Sequence, residues 1–205
     1  MNQFALPLAW PADEQGEFLV LDSNARAVRM LEHWATWPVR TAILAGPAQS
    51  GRSLLGRIFA ARSGGTVIDD ADHVAEEALF HAWNEAQERR RPLLLIARTA
   101  PPGWSVALPD LRSRLAASPS AAIGAPEDAL IAALFERGFA RRNLDARADL
   151  VTWLTARTDR SHAAVMETID RLDQAALAGR RRLTIPLARE TLDTGAASKR
   201  SDTLT

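Results

Sequence analysis

At 205 residues, with 47% hydrophobic and 24% charged residues, the chain has the composition of a soluble globular protein that can bury a real core, in one large domain or two small ones at roughly 100–200 residues each. Lys plus Arg and Asp plus Glu each number 25, so no global positive field draws it to nucleic acid or a membrane, and any such contact has to be local. The absence of Cys excludes disulfides and thiolate metal sites and suits a reducing cytosol; with no basic-then-apolar leader and no run near the roughly 18 apolar residues of a membrane span, a cytoplasmic protein without membrane contact is expected.

The chain opens Met1-Asn2-Gln3-Phe4-Ala5-Leu6-Pro7-Leu8, ahead of Trp10-Pro11 and the acidic Asp13-Glu14. Pro7 keeps Leu6 extended and cannot donate to a sheet interior, so this is an arm and not a core strand. Two readings stand: an arm packed on its own domain, or a peptide whose apolar side chains enter a groove on a partner, with Gln3 as polar anchor. From Asp22 the pattern turns helical, with Asp22 or Ser23 as cap and Ala25, Val28, Leu31 and Ala35 on one stripe until Pro38. Trp34 and Trp37 pack in the core or cover a ligand.

A strand over Val39–Ala45 then runs into Gly46-Pro47-Ala48-Gln49-Ser50-Gly51-Arg52-Ser53, with a helix from about Arg52 to Arg62 behind it. Two glycines five positions apart, a basic residue and a hydroxyl between strand and helix form the layout of a phosphate-binding loop. The glycines let successive N–H groups face an anion, the helix adds its positive end, and Ser53 suits the oxygen shell of a magnesium ion. Arg52 stands where Lys is usual, which keeps the charge but replaces a compact ammonium by a planar fork. The bland alternative is an ordinary Gly-rich turn.

Ser63-Gly64-Gly65 stops the loop helix, and Thr66-Val67-Ile68-Asp69-Asp70 reads as a strand ending in two carboxylates. At the carboxyl end of a parallel strand, Asp69 and Asp70 are placed to hold magnesium and polarise a water. A helix over about 75–89 ends in Arg89-Arg90-Arg91, a solvated helix end or a DNA patch. Pro92–Ala97 is apolar throughout, as a strand covered on both faces should be, and breaks at Pro101-Pro102-Gly103. A short helix over 108–115 and a last strand over 121–124 complete a four-stranded parallel α/β sheet. Beyond Pro126 the pattern is wholly helical, over 127–137, 146–157 and 161–177. Arg180-Arg181-Arg182 precedes Leu183-Thr184-Ile185-Pro186, and 194–205 has the composition of a disordered tail. His33, His73, His81 and His162 show no metal spacing.

Phosphate loop, Asp-Asp strand, Pro-Pro-Gly break, the stretch Asp110-Leu111-Arg112-Ser113-Arg114-Leu115 and a helical C-terminal lid together resemble the AAA+ domain of the bacterial replication initiator DnaA. The chain is more closely similar to the short DnaA-related regulators of the Hda group, over about residues 1–193. Asp110–Leu115 is similar to the family's D-L-x-S-R-L box, so the resemblance makes Arg114 an arginine finger. Leu172-Asp173-Gln174 with Leu183–Pro186 resembles the end of the lid, and Gln3–Leu8 the Q-x-x-L-x-L peptide that binds the DNA polymerase sliding clamp. That favours the partner-groove reading of the arm. The implied organisation is a clamp-binding arm at 1–15, with Gln3, Phe4, Leu6, Pro7 and Leu8 as its contacts; an AAA+ P-loop NTPase-like domain at 16–125; a lid at 126–193; and the tail at 194–205.

Departures accompany the resemblance. The family's second strand and helix are replaced by Ser63-Gly64-Gly65, so an edge strand of the sheet is expected to be missing; with right-handed crossovers, the resemblance to an AAA+ core without that strand implies the order fourth, first, third, second. The first sensor position aligns with Thr99 and the second with Ala163, with Arg160 one turn earlier. ADP or ATP with magnesium on Ser53 and Asp69 is implied by the family, while Arg52, Thr99 and Ala163 count against turnover by this chain. The implied function is negative regulation of replication initiation near the replisome: bound to the clamp, and through it to DNA, the chain stimulates ATP hydrolysis by DnaA through Arg114. A self-contained AAA+ ATPase remodelling a DNA-bound complex and a nucleotide-free clamp adaptor remain the alternatives, and a homodimer is left open.

Overall fold

A computed structural model describes residues 18–201, and the chain divides after Gly124 into two compact units. The arm residues Gln3, Phe4, Leu6, Pro7 and Leu8 lie outside the described residues.

The first unit is built on strands β1 (Thr41–Ala45), β2 (Thr66–Ile68), β3 (Leu93–Ala97) and β4 (Ser120–Ala122). All are parallel, in the order β2-β3-β1-β4, which is the expected order. Register pairs Thr41 with Leu93 through Ala45 with Ala97, Ile43 with Ser120, and Thr66 with Leu93.

Helices cover both faces, which is why the strand sequences run apolar without alternation. Ala42, Leu44, Leu94 and Ile96 face α1 (Asp22–Glu32) and α2 (Arg52–Ser63), meeting Val28, Leu31, Leu55, Ile58 and Phe59. Ile43, Leu93, Leu95 and Ala97 face the other way, toward Leu79 and Ala86 of α3 (Glu76–Glu88) and Leu111 and Leu115 of α4 (Pro109–Ala117). The sheet therefore separates α2 from α4.

Two local expectations, on the cap and the end of the first helix, are corrected, and one of the two readings of Trp37 is met. Neither Asp22 nor Ser23 caps α1, because both lie inside it; the buried Asn24 accepts from the Leu21 amide at 3.0 Å and donates to the Leu19 carbonyl at 2.9 Å. The helix stops at Glu32, before Ala35, and a single 3₁₀ turn, Trp34–Thr36, follows. Trp37 is packing: its indole donates to the Met30 carbonyl at 2.9 Å and stacks on Phe59 at 5.5 Å.

The short Gly64-Gly65 bypass from α2 into β2 depends on Gly65. A Cβ there would stand 2.4 Å from the Pro92 carbonyl oxygen, to which Thr66 N–H already donates at 2.9 Å. Only glycine lets the chain leave α2 and enter β2 this close to β3.

The second unit packs α5 (Asp128–Arg141), α6 (Ala148–Thr155), α7 (His162–Gly179) and α8 (Ile185–Ser201) around Phe135, Phe139, Leu154, Ile169 and Leu172. Ser161 caps α7 by accepting from Ala164 N–H at 3.1 Å. Helix α8 was not expected, and it runs into the 194–205 stretch read as a tail. Pro186 sits in its first turn, where a missing N–H is harmless, and Ala196, Ala197, Lys199 and Arg200 are good helix formers. Among the described residues, no helix is long and apolar enough to cross a membrane.

Candidate functional site

The loop between β1 and α2 has the backbone of an anion cradle. Gly51 is left-handed at φ 87° immediately before the first turn of α2, and Gln49 is left-handed at φ 61°. The Phe18 ring packs against Gly51 so closely that a Cβ there would lie 2.8 Å from it. Ser50 is buried at 4% exposure and its hydroxyl has no partner among the described residues, an orphan that a phosphate oxygen would satisfy. Ser53 is exposed on the first turn. Gly46 N–H is already used, donating to the Arg98 carbonyl at 3.2 Å.

The side chain of Arg52 departs from the sequence reading. It is 9% exposed, and its guanidinium donates to the carbonyl of Ala97 at the end of β3. The cation thus braces the loop against the neighbouring strand. A Lys could not both reach that far and offer the same planar fork.

Asp69 and Asp70 follow β2, and β3 lies between β2 and β1, so the pair stands about 10 Å across the sheet from the loop's strand. Both are exposed, and Asp69 Oδ1 accepts Asp70 N–H at 2.9 Å. The carboxylate tied to the end of β3 is one the sequence reading passed over: Asp72 Oδ2 accepts Arg98 N–H at 3.2 Å. Among the described residues no three carboxylate or imidazole groups converge on a metal position. Thr99 is exposed beside Arg98. In the second unit Ala163 is exposed and Arg160 pairs with Asp128 at 3.0 Å.

Arg114 lies on α4, on the face of the sheet opposite α2. Leu111 and Leu115 anchor this helix in the core, and α3 positions its start: Glu76 accepts from Ala107 N–H at 2.8 Å and Leu108 N–H at 2.6 Å, which holds its carboxyl below the usual range. The guanidinium carbon of Arg114 stands 4.7 Å from the centre of the Phe80 ring and 4.6 Å from that of Trp83. Among the described residues no ion pair joins it to Asp110, which stands one turn away on the same helix. Phe80 and Trp83 were read only as part of a helix, though their spacing of three marks one face. Of the basic runs, Arg89 pairs with Glu85 at 2.7 Å, Arg91 donates to the Gly64 carbonyl at 2.7 Å, and Arg181 pairs with Glu190 at 3.0 Å; these contacts fit solvated helix ends.

Residues 127–192 match the protein family described as Hda, lid domain. In fold the chain is similar to domain III of the replication initiation protein DnaA from Thermotoga maritima, at 13% identity and a TM-score of 0.74 over 86% of this chain and 94% of that one. AMPPCP-bound DnaA from Aquifex aeolicus aligns at 16% identity and a TM-score of 0.59, over 75% of this chain and 62% of that chain. An RuvB variant from Thermotoga maritima aligns at 14% identity and a TM-score of 0.63, over 83% and 66%. The parallel sheet in this order gives the chain the AAA+ fold of the proteins it matches. Residues 127–192 add to that fold a match to the Hda lid domain.

Proposed function

We propose that the chain is a regulator of the initiator DnaA: held on the DNA polymerase sliding clamp by Gln3, Phe4, Leu6, Pro7 and Leu8, it presents Arg114 to ATP bound in DnaA and stimulates its hydrolysis. The observation that carries the reading is the situation of Arg114, on the side of the sheet away from the chain's own loop helix and with no carboxylate partner among the described residues. In the reaction a water attacks the γ-phosphorus and the bond to the β–γ bridging oxygen breaks, giving ADP and phosphate. A guanidinium against the phosphate oxygens offsets the charge that develops, an effect worth about 10³–10⁵ in rate where it has been measured. Tethering to the clamp raises the local concentration of the chain near replicated DNA.

The chain's own loop suits the phosphates of ADP. The N–H groups opening α2 and the hydroxyls of Ser50 and Ser53 would hold them, whereas Arg52 is committed to Ala97 and Asp69 to Asp70, which leaves little for a third phosphate. Bound nucleotide supplies a polyanion at the loop; the protein's residues bind and orient it without turning it over.

ATP turnover by DnaA, measured with clamp loaded on DNA, tests the reading. Arg114→Ala should bind clamp and lose most of the stimulation, and Leu6→Ala with Leu8→Ala should lose clamp binding with an unchanged melting temperature. Full stimulation by Arg114→Ala rules out the finger. The adaptor reading, favoured by the inward turn of Arg52, predicts activity that survives loss of Arg114 and not loss of the arm.

A further inference from the structure

We propose that Phe80 and Trp83 are positioning residues for Arg114: they hold the guanidinium by its faces, so that its in-plane N–H groups remain free for a phosphate. The inference rests on the reading of Arg114 as a donated finger and adds the device that aims it. A guanidinium has two surfaces with separate uses, a flat π face that stacks on rings and an edge of five donors that bonds oxygens. A carboxylate partner would occupy the edge and neutralise the charge, and the finger would have to break that pair before acting. Aromatic rings restrain the side chain while leaving charge and donors intact.

The Arg114 guanidinium carbon lies over two rings. Both rings lie on one face of α3, three residues apart, at 4.7 and 4.6 Å from the Arg114 guanidinium carbon. The Trp83 ring is itself fixed: it is buried, and its Nε1–H donates to Ser118 Oγ at 3.3 Å. Ser118 is also buried, and its hydroxyl donates to the carbonyl of Arg114 at 2.9 Å. One hydroxyl thus ties the indole to the backbone of the residue it restrains. A side chain held this way enters a neighbouring site with part of its rotamer freedom already removed.

Phe80 is half-buried, so it can be changed with less risk to folding than Trp83. The test compares wild type, Phe80→Leu, Phe80→Tyr and Arg114→Ala by two readouts. The first is the proton shift of the Arg114 Nε–H in the free, full-length chain. The second is the saturating rate and half-saturating concentration for stimulation of DnaA's ATP hydrolysis with clamp on DNA. The wild-type Nε–H should be ring-current shifted, and Phe80→Leu should reduce that shift. Phe80→Leu should also lower the saturating rate about fivefold, the equivalent of one cation–π contact of about 1 kcal/mol, with the half-saturating concentration unchanged. Phe80→Tyr should restore both shift and rate. An unshifted Nε–H in wild type overturns the proposal, as does full stimulation by Phe80→Leu alongside an inactive Arg114→Ala; in both cases the finger stands. Full stimulation by Arg114→Ala removes the finger, and the positioning role with it.

Discussion

Replacing Arg52 by Ala removes a guanidinium that is 9% exposed and donates to the Ala97 carbonyl. A hydrogen bond to a charged group contributes about 1.5–3 kcal/mol, and here its loss leaves the carbonyl at the end of β3 without that donor. At about 4 °C per kcal/mol for a unit of roughly 100 residues, the melting point of the sheet unit should fall by about 6–12 °C. Five of the six tryptophans, Trp10, Trp34, Trp37, Trp83 and Trp104, belong to the first unit, so thermal unfolding followed by tryptophan fluorescence on the full chain reports chiefly on it. Arg52→Lys should fall between wild type and Arg52→Ala, since one ammonium replaces the fork at shorter reach. Saturating ADP should recover part of the loss in Arg52→Ala, because an anion in the loop binds only the folded state. An unchanged melting point in Arg52→Ala would refute the brace, and would mean that the cation stands free at the loop.

Gly65→Ala should cost about 1–3 kcal/mol in urea unfolding, because its methyl would stand 2.4 Å from the Pro92 carbonyl oxygen; an unchanged midpoint would show that the bypass has room. Burial holds the His162 imidazole below its usual range against a smaller opposing pull from Glu127. With the folded value depressed, the stability of the lid is fully present above about pH 6.5 and declines as pH falls through the folded value. Unfolding of the full chain followed by the resolved indole N–H resonance of Trp153 should show this decline, and His162→Gln should flatten it; a wild-type profile already flat between pH 7.5 and 5 would refute the assignment.

Leu93-Leu94-Leu95-Ile96-Ala97 could be read as a central strand because burial on both faces removes alternation, and the order of the strands followed from the resemblance to an AAA+ core lacking its edge strand, joined by right-handed crossovers. The loop at Gly46–Ser53 was equally legible, since its glycines and helix start are fixed by backbone chemistry. The direction taken by Arg52 was not, because a sequence gives a cation its place in the chain and not its rotamer, and the accepting carbonyl belongs to a strand 45 residues away. The same holds for Arg114 with Phe80 and Trp83, a contact between two helices on which local spacing is silent. Helix α8 was missed for a local reason: Pro186 reads as a stop, yet in a first turn it is a start.

The Gly64-Gly65 bypass leaves β2 as the edge of the sheet, and an unpaired edge invites a strand from another molecule. Here the invitation is brief. Three residues expose about 10 Å of ladder, well short of a stable pairing. At its entry the Gly64 carbonyl is taken by the Arg91 guanidinium, and at its exit Asp69 and Asp70 put two exposed carboxylates in the path of any incoming chain. Among the described residues β2 is thus a short, charge-flanked edge, a poor template for an added strand.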